Sequence, residues 1–157
     1  MKEITKVKSP GMIRFIPERC TGCGACELAC ALYHENSSNP ALSRIRLVYD
    51  LFAGDHRAEV CIQCEFPSCY YACPVNAIQI GPETGARYIE EEKCIGCGIC
   101  VRACPLMPEK QIIRYKLVDG AKKFFKCDLC RGRAEGPVCV EACPASALEF
   151  VEAGERR

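Results

Sequence analysis

Sixteen cysteines in 157 residues fall into four groups of four. They are Cys20, Cys23, Cys26 and Cys30; Cys61, Cys64, Cys69 and Cys73; Cys94, Cys97, Cys100 and Cys104; and Cys127, Cys130, Cys139 and Cys143, with none left over. Thiolates are soft metal ligands. The third group, closed by Pro105, is the C-x2-C-x2-C-x3-C-P run that holds a cubane iron–sulfur cluster. Four quartets therefore predict four [4Fe-4S] clusters, every cysteine an iron ligand, and such a chain is expected to move electrons. A disulfide scaffold would need an oxidising compartment and does not call for repeated C-x2-C steps. All-cysteine zinc sites use C-x2-C pairs, but not a third cysteine two residues on and a fourth before proline.

The spacing inside a quartet has a mechanical reason. Two C-x2-C steps wrap a tight loop on which three thiolates and several backbone N–H groups converge, and Gly22, Gly24, Gly96 and Gly98 suit such a loop. The third and fourth cysteines are four apart, one helical turn and about 6 Å of rise. The fourth thiolate is thus carried away from the loop and can reach a neighbouring cluster, as in two-cluster ferredoxins. Pro74, Pro105 and Pro144 disfavour helix at the cysteine before them and are expected to end the turn there. The first quartet is followed by Ala31 instead. Spacing leaves open which quartets exchange ligands, and sequential pairing, first with second and third with fourth, is the simplest guess.

The elements that must position these loops are short. Cys73-Pro-Val-Asn-Ala-Ile-Gln-Ile80 and Cys143-Pro-Ala-Ser-Ala-Leu-Glu-Phe150 repeat one another, each passing from cysteine through proline to an apolar strand. Strand-like Ile13–Ile16, Arg87–Ile89 and Lys123–Phe125 precede Cys20, Cys94 and Cys127, and residues 74–93 read as a hairpin joining the second and third quartets. The expected class is α+β, with short strands and short helices around the clusters.

Composition narrows the function. With cysteine set aside, roughly 39% of the chain is apolar, below the usual globular share, and there is no Trp. Clusters are expected to supply much of the interior, leaving the metal-free chain largely unfolded. The formal charge of +1 counts every thiol as neutral. Each [4Fe-4S] core with four thiolates carries about −2, which puts the loaded protein near −7 and argues against a nucleic-acid partner. No secretory h-region precedes Arg19 and no stretch approaches the ~18 apolar residues of a membrane span, so a cytoplasmic location with no direct membrane span is expected. No catalytic constellation is visible, and the chain is not expected to be an enzyme by itself. His34 and His56 are read as surface or loop packing, Arg44 and Arg46 as solvated charge rather than cluster- or partner-facing, and Glu90 to Glu92 as a solvated face. Phe66, Tyr70 and Tyr71 are read as shielding for the second quartet.

Two quartets depart from the strict run: Glu65–Ser68 separates Cys64 from Cys69, and residues 131–138 separate Cys130 from Cys139. Together with the unprolinated first quartet and the strict third, this pattern over residues 11–152 resembles the 16-cysteine iron–sulfur subunit family of molybdenum and tungsten oxidoreductases. The electron-transfer subunits of dimethyl sulfoxide reductase and formate dehydrogenase belong to it. The segment Cys20–Cys30, with His34-Glu35 and Ser43–Arg46, is most similar to the small subunits of tungsten aldehyde oxidoreductase complexes. The resemblance implies two nested bacterial-ferredoxin-like modules, an outer one of residues 1–56 plus 119–157 and an inserted one of residues 57–118. It implies one cluster on Cys20, Cys23, Cys26 and Cys143 and a second on Cys127, Cys130, Cys139 and Cys30. A third would use Cys61, Cys64, Cys69 and Cys104, and a fourth Cys94, Cys97, Cys100 and Cys73. The implied partner is a large catalytic subunit with a tungsten or molybdenum pterin, with a flavin or ferredoxin protein as external redox partner. The alternatives are a wire serving a hydrogenase or carbon monoxide dehydrogenase, and a free-standing polyferredoxin.

Overall fold

The computed structural model describes residues 2–155. Helices and strands alternate in short pieces, an α+β arrangement. Strand β1 (Met12–Phe15) leads to the first cysteine loop and helix α1 (Ala25–Glu35). Strands β2 (Arg46–Asp50) and β3 (Asp55–Glu59) form a hairpin, followed by the second loop and helix α2 (Ser68–Ala72). Strands β4 (Ile78–Ile80) and β5 (Arg87–Ile89) make the hairpin anticipated in residues 74–93, and helix α3 (Ile99–Ala103) follows the third loop. Strands β6 (Arg114–Val118) and β7 (Ala121–Phe125) form another hairpin, before helix α4 (Val138–Ala142) and strand β8 (Leu148–Val151).

Among the described residues there are four sheets, each two-stranded and antiparallel. Three are local hairpins. The fourth joins the chain's ends: β1 pairs with β8, Ile13 opposite Phe150. Helix packing follows the same order, α1 against α4 and α2 against α3. The β6–β7 turn uses Asp119 and Gly120, both at positive φ, the Asp-Gly pair that matches the twist of a two-residue hairpin.

Helix lengths follow from proline. α2, α3 and α4 are five residues each and stop at Cys73, Cys104 and Cys143, whose extended backbones precede Pro74, Pro105 and Pro144. α1 meets no proline, runs through Cys30 to Glu35, and closes at Asn36 in the left-handed conformation. Its extra length brings His34 and Glu35 over the rest of the molecule. The organic core is thin: Ile13, Ile45, Ile78, Ile113, Phe124 and Leu148 are buried among cysteine side chains. Among the described residues, no helix is long and apolar enough to cross a membrane.

Candidate iron–sulfur centres

The chain brings its thiols together in sets drawn from different quartets. One cavity is lined by Cys61, Cys64, Cys69 and Cys104, together with Lys126 and Ile113. A second is lined by Cys73, Cys94, Cys97 and Cys100 under Ile78 and Phe124. In each, three cysteines come from one quartet and one from the other, because the proline-terminated turn carries the fourth thiol across. Largely apolar cavities on which four thiols converge fit a thiolate-held iron–sulfur group. Thiols of the first and fourth quartets meet where α1 packs on α4: Cys26 lies near Cys143, and Cys139 near Cys30 and Cys130.

Adjacent sets approach one another in a row. Cys139 neighbours Cys26, Cys127 neighbours Cys61, and Cys69 neighbours Cys100. Cys23 and Cys97 are exposed, whereas Cys61, Cys127, Cys130 and Cys139 are buried. Desolvation makes some of the thiols hard to ionise: it pushes Cys26 and Cys100 up to about 12, and Cys69 and Cys130 to about 11. Metal must therefore displace protons here, the usual coupling of thiolate ligation to proton release.

Backbone amides converge on several sulfurs. The Ala77 N–H donates to Cys73 Sγ and the Ala147 N–H to Cys143 Sγ, both at 3.2 Å. The repeated Cys-Pro-x-x-Ala sequence makes this contact twice, with Asn76 and Ser146 at positive φ supplying the turn. Arg44 N–H donates to Cys30 Sγ at 3.1 Å and Leu129 N–H to Cys127 Sγ at 3.4 Å. Such donors stabilise added negative charge on sulfur and tune potential.

Several side chains depart from their sequence reading. His34 is not simple packing. Its Nδ1 lies 3.6 Å from Cys30 Sγ and 3.0 Å from the Cys30 carbonyl, and its Nε2 lies 2.9 Å from Asp128 Oδ1. Burial alone would lower the His34 pKa, but Asp128 and Cys30 raise it to about 9. His56 stands on strand β3 opposite Tyr49 rather than in a loop, its ring packed against Tyr49 and Gly22. Arg44 is not solvated: only 10% of its side chain is exposed, and it bonds Glu35 at 2.9 Å and Glu91 at 3.2 Å. Lys116 completes the ring with the same two carboxylates at 2.5 and 2.7 Å. Glu91 is thus withdrawn from the expected solvated face, because α1 extends far enough to meet the segment before Cys94. Arg46 is closer to its reading, half-exposed beside Glu59. Tyr70 packs on the core near Cys69, while Tyr71 ties the N-terminal segment through a bond to the Thr5 carbonyl and Phe66 is exposed.

Lys126 and Gln63 had no sequence reading. Lys126 is 2% exposed, its Nζ 3.4 Å from Cys61 Sγ. Burial would lower its pKa, but the Cys61, Cys69 and Cys127 sulfurs raise it above its ordinary value. A lysine beside a cysteine carries no signal of burial. The Cys30–His34 spacing, one helical turn, was the readable signal for the histidine.

Four cysteine quartets, two of them folded into shared thiol-lined cavities, define a polyferredoxin-type iron–sulfur protein, and the comparisons with known proteins agree. Residues 53–153 match the model of the 4Fe-4S dicluster domain, and residues 13–30 that of the 4Fe-4S binding domain. The chain belongs to the 4Fe-4S dicluster domain family. It is 42% identical to the polyferredoxin-like subunit of the aliphatic sulfonate oxidoreductase of Pyrococcus furiosus, over 83% of this chain and 70% of that one. It is 36% identical to the B subunit of the anaerobic dimethyl sulfoxide reductase of Escherichia coli, over 88% of this chain and 72% of that one. Among solved structures it is similar to the active site complex BamBC of benzoyl coenzyme A reductase in complex with zinc. There the TM-score is 0.50 at 28% identity, with 99% of this chain and 83% of that one covered. The chain carries four [4Fe-4S] clusters and is an electron-transfer subunit of an oxidoreductase complex rather than a catalytic chain.

Proposed function

We propose that this subunit is a one-electron wire, its four clusters in a row, docked on a catalytic subunit that carries a tungsten or molybdenum pterin. The observation that carries this reading is the sequence of neighbouring thiols, Cys26 to Cys139, Cys127 to Cys61 and Cys69 to Cys100, with exposed Cys23 and Cys97 at opposite ends. When bound, each cluster supplies reversible uptake of a single electron. The protein's own residues separate the sites, exclude water and direct N–H groups at sulfur. The ligand sets follow the nested pairing. Cys20, Cys23, Cys26 and Cys143 hold one end, then Cys127, Cys130, Cys139 and Cys30. Cys61, Cys64, Cys69 and Cys104 come next, and Cys94, Cys97, Cys100 and Cys73 hold the other end. The β1–β8 pair and the α1–α4 contact support an outer module of residues 1–56 and 119–157 around residues 57–118, with the β2–β3 and β6–β7 hairpins spanning both junctions.

Relatives named as subunits of a sulfonate oxidoreductase and a dimethyl sulfoxide reductase support a large catalytic partner. Resemblance to the small subunits of tungsten complexes favours aldehyde oxidoreductase chemistry in it. A flavin or ferredoxin protein would take the other end. Anaerobic purification of the native complex tests the partner: a co-purifying large chain with tungsten or molybdenum is expected, and nickel, or no stable partner, would overturn it. Cys143→Ser tests the pairing. The electron paramagnetic resonance signal of the Cys20–Cys23–Cys26 site should be lost or altered first, and loss at the Cys94 site instead would refute nesting.

A further inference from the structure

Among the described lysines, Lys126 alone is buried. An ammonium in a dry interior is strongly disfavoured unless paired, so its partners state its role. Lys126 follows strand β7 directly and precedes Cys127, and its Nζ reaches Cys61 Sγ at 3.4 Å, the Arg87 carbonyl at 2.5 Å and the Cys127 carbonyl at 3.3 Å. The ammonium thus has three acceptors within hydrogen-bonding distance. Gln63, inside the Cys61–Cys64 loop, reaches the opposite way: its Nε2 donates to the Cys127 carbonyl at 2.8 Å and its Oε1 accepts from Arg87 N–H at 2.6 Å. The two side chains clasp the loops of two different sites at the middle of the row.

We infer that Lys126 sets the reduction potential of the Cys61–Cys64–Cys69–Cys104 site, making it easier to reduce than it would be without the lysine. The inference rests on the ligand sets proposed above. Its physical basis is the asymmetry of the contact. The positive charge bonds a sulfur of one site and lies near Cys69 in the same site; the Cys127 sulfur of the neighbouring site also feels it, but the hydrogen bond to that residue goes to its carbonyl. A fixed charge in low dielectric acts most strongly on the nearest added electron, and a donor to sulfur lowers the cost of reduction. Lys126 is a positioning residue here: one electron arrives from one neighbouring site and leaves for the other, and the lysine keeps its protons while no bond breaks. A counter-ion that only held the fold would change stability and leave the potential alone.

The test compares Lys126→Met and Lys126→Arg with the unaltered full chain, in its complex as purified, by counting iron and by redox titration monitored by electron paramagnetic resonance. About 16 iron per unaltered chain verifies the cluster count on which the inference rests, and a lower count would sink that reading rather than this one. In Lys126→Met, the signal removed by Cys64→Ser should become harder to reduce by at least tenfold in its one-electron equilibrium, about 59 mV. Lys126→Arg, which keeps the charge, should recover most of that shift. Less than a twofold change in Lys126→Met, or a shift confined to another site, would overturn the inference. If the variants do not load, unaltered protein carrying lysine labelled with 15N at Nζ decides it. Pulsed resonance should detect one lysine nitrogen coupled to one reduced site, and no such coupling means Lys126 does not act on it.

Discussion

Glu35, Arg44, Glu91 and Lys116 form a closed ring of alternating charge that ties α1 to the segment before Cys94 and to β6. Burial alone would raise the Glu35 pKa, but hydrogen bonds from Lys116 and Arg44 outweigh it and hold the carboxyl below its ordinary 4.5. A depressed carboxylate contributes stability above its unfolded pKa and loses it as the pH falls through the folded value. Glu35→Gln should therefore destabilise the loaded protein at neutral pH by about 1–3 kcal/mol, since it leaves Lys116 and Arg44 short of a partner. The rate of thermal bleaching of visible absorbance, compared across pH, checks this. The gap between variant and parent should narrow below about pH 4, and a constant gap would contradict the assigned cause. None of these four residues announces itself in sequence. Arg44 and Glu91 are 47 positions apart, and two charges that far apart read as solvated until the fold brings them together.

Loops, rather than strands or helices, do most of the positioning at the next scale. Gly96 and Gly120 are both at positive φ, but their surroundings differ. A Cβ on Gly96 would lie 2.7 Å from the Lys122 carbonyl oxygen, whereas nothing lies within 4 Å of one on Gly120. Gly120→Ala should cost about 1–2 kcal/mol, the penalty of a left-handed L-residue. Gly96→Ala adds a clash with the backbone of β7 and should cost more, with selective damage to the Cys94–Cys97–Cys100 site. Iron content and resonance signals of the two variants check it, and equal effects would mean the loop simply yields. This part of the architecture was legible: glycines inside C-x2-C steps, proline after the fourth cysteine and the Arg87–Ile89 strand all stand where their local chemistry puts them. The length of α1 was legible only in part. Ala31 in place of proline permits continuation, but helix to Glu35 is held by contacts with Asp128, Arg44 and Lys116.

At the scale of the whole molecule, the buried apolar side chains are few and the cysteines line the spaces between them. Iron removal by an anaerobic chelator should therefore unfold most of the chain rather than leave an empty shell. Far-ultraviolet circular dichroism and hydrodynamic radius are the checks, and retained compactness would show that the organic core suffices. Because β1 pairs with β8 and α1 packs on α4, unfolding should take the outer elements together. The sequence by itself determined the metal chemistry, the number of centres and the α+β class, because ligand type, spacing, glycine and proline act over a few residues. Tertiary structure decided what depends on distant segments meeting. It gathered Cys104 with the Cys61 quartet and Cys73 with the Cys94 quartet, withdrew Arg44 from solvent, and set a buried lysine between neighbouring sites. Those contacts arise where distant segments pack together, and no local stretch of the sequence encodes them alone.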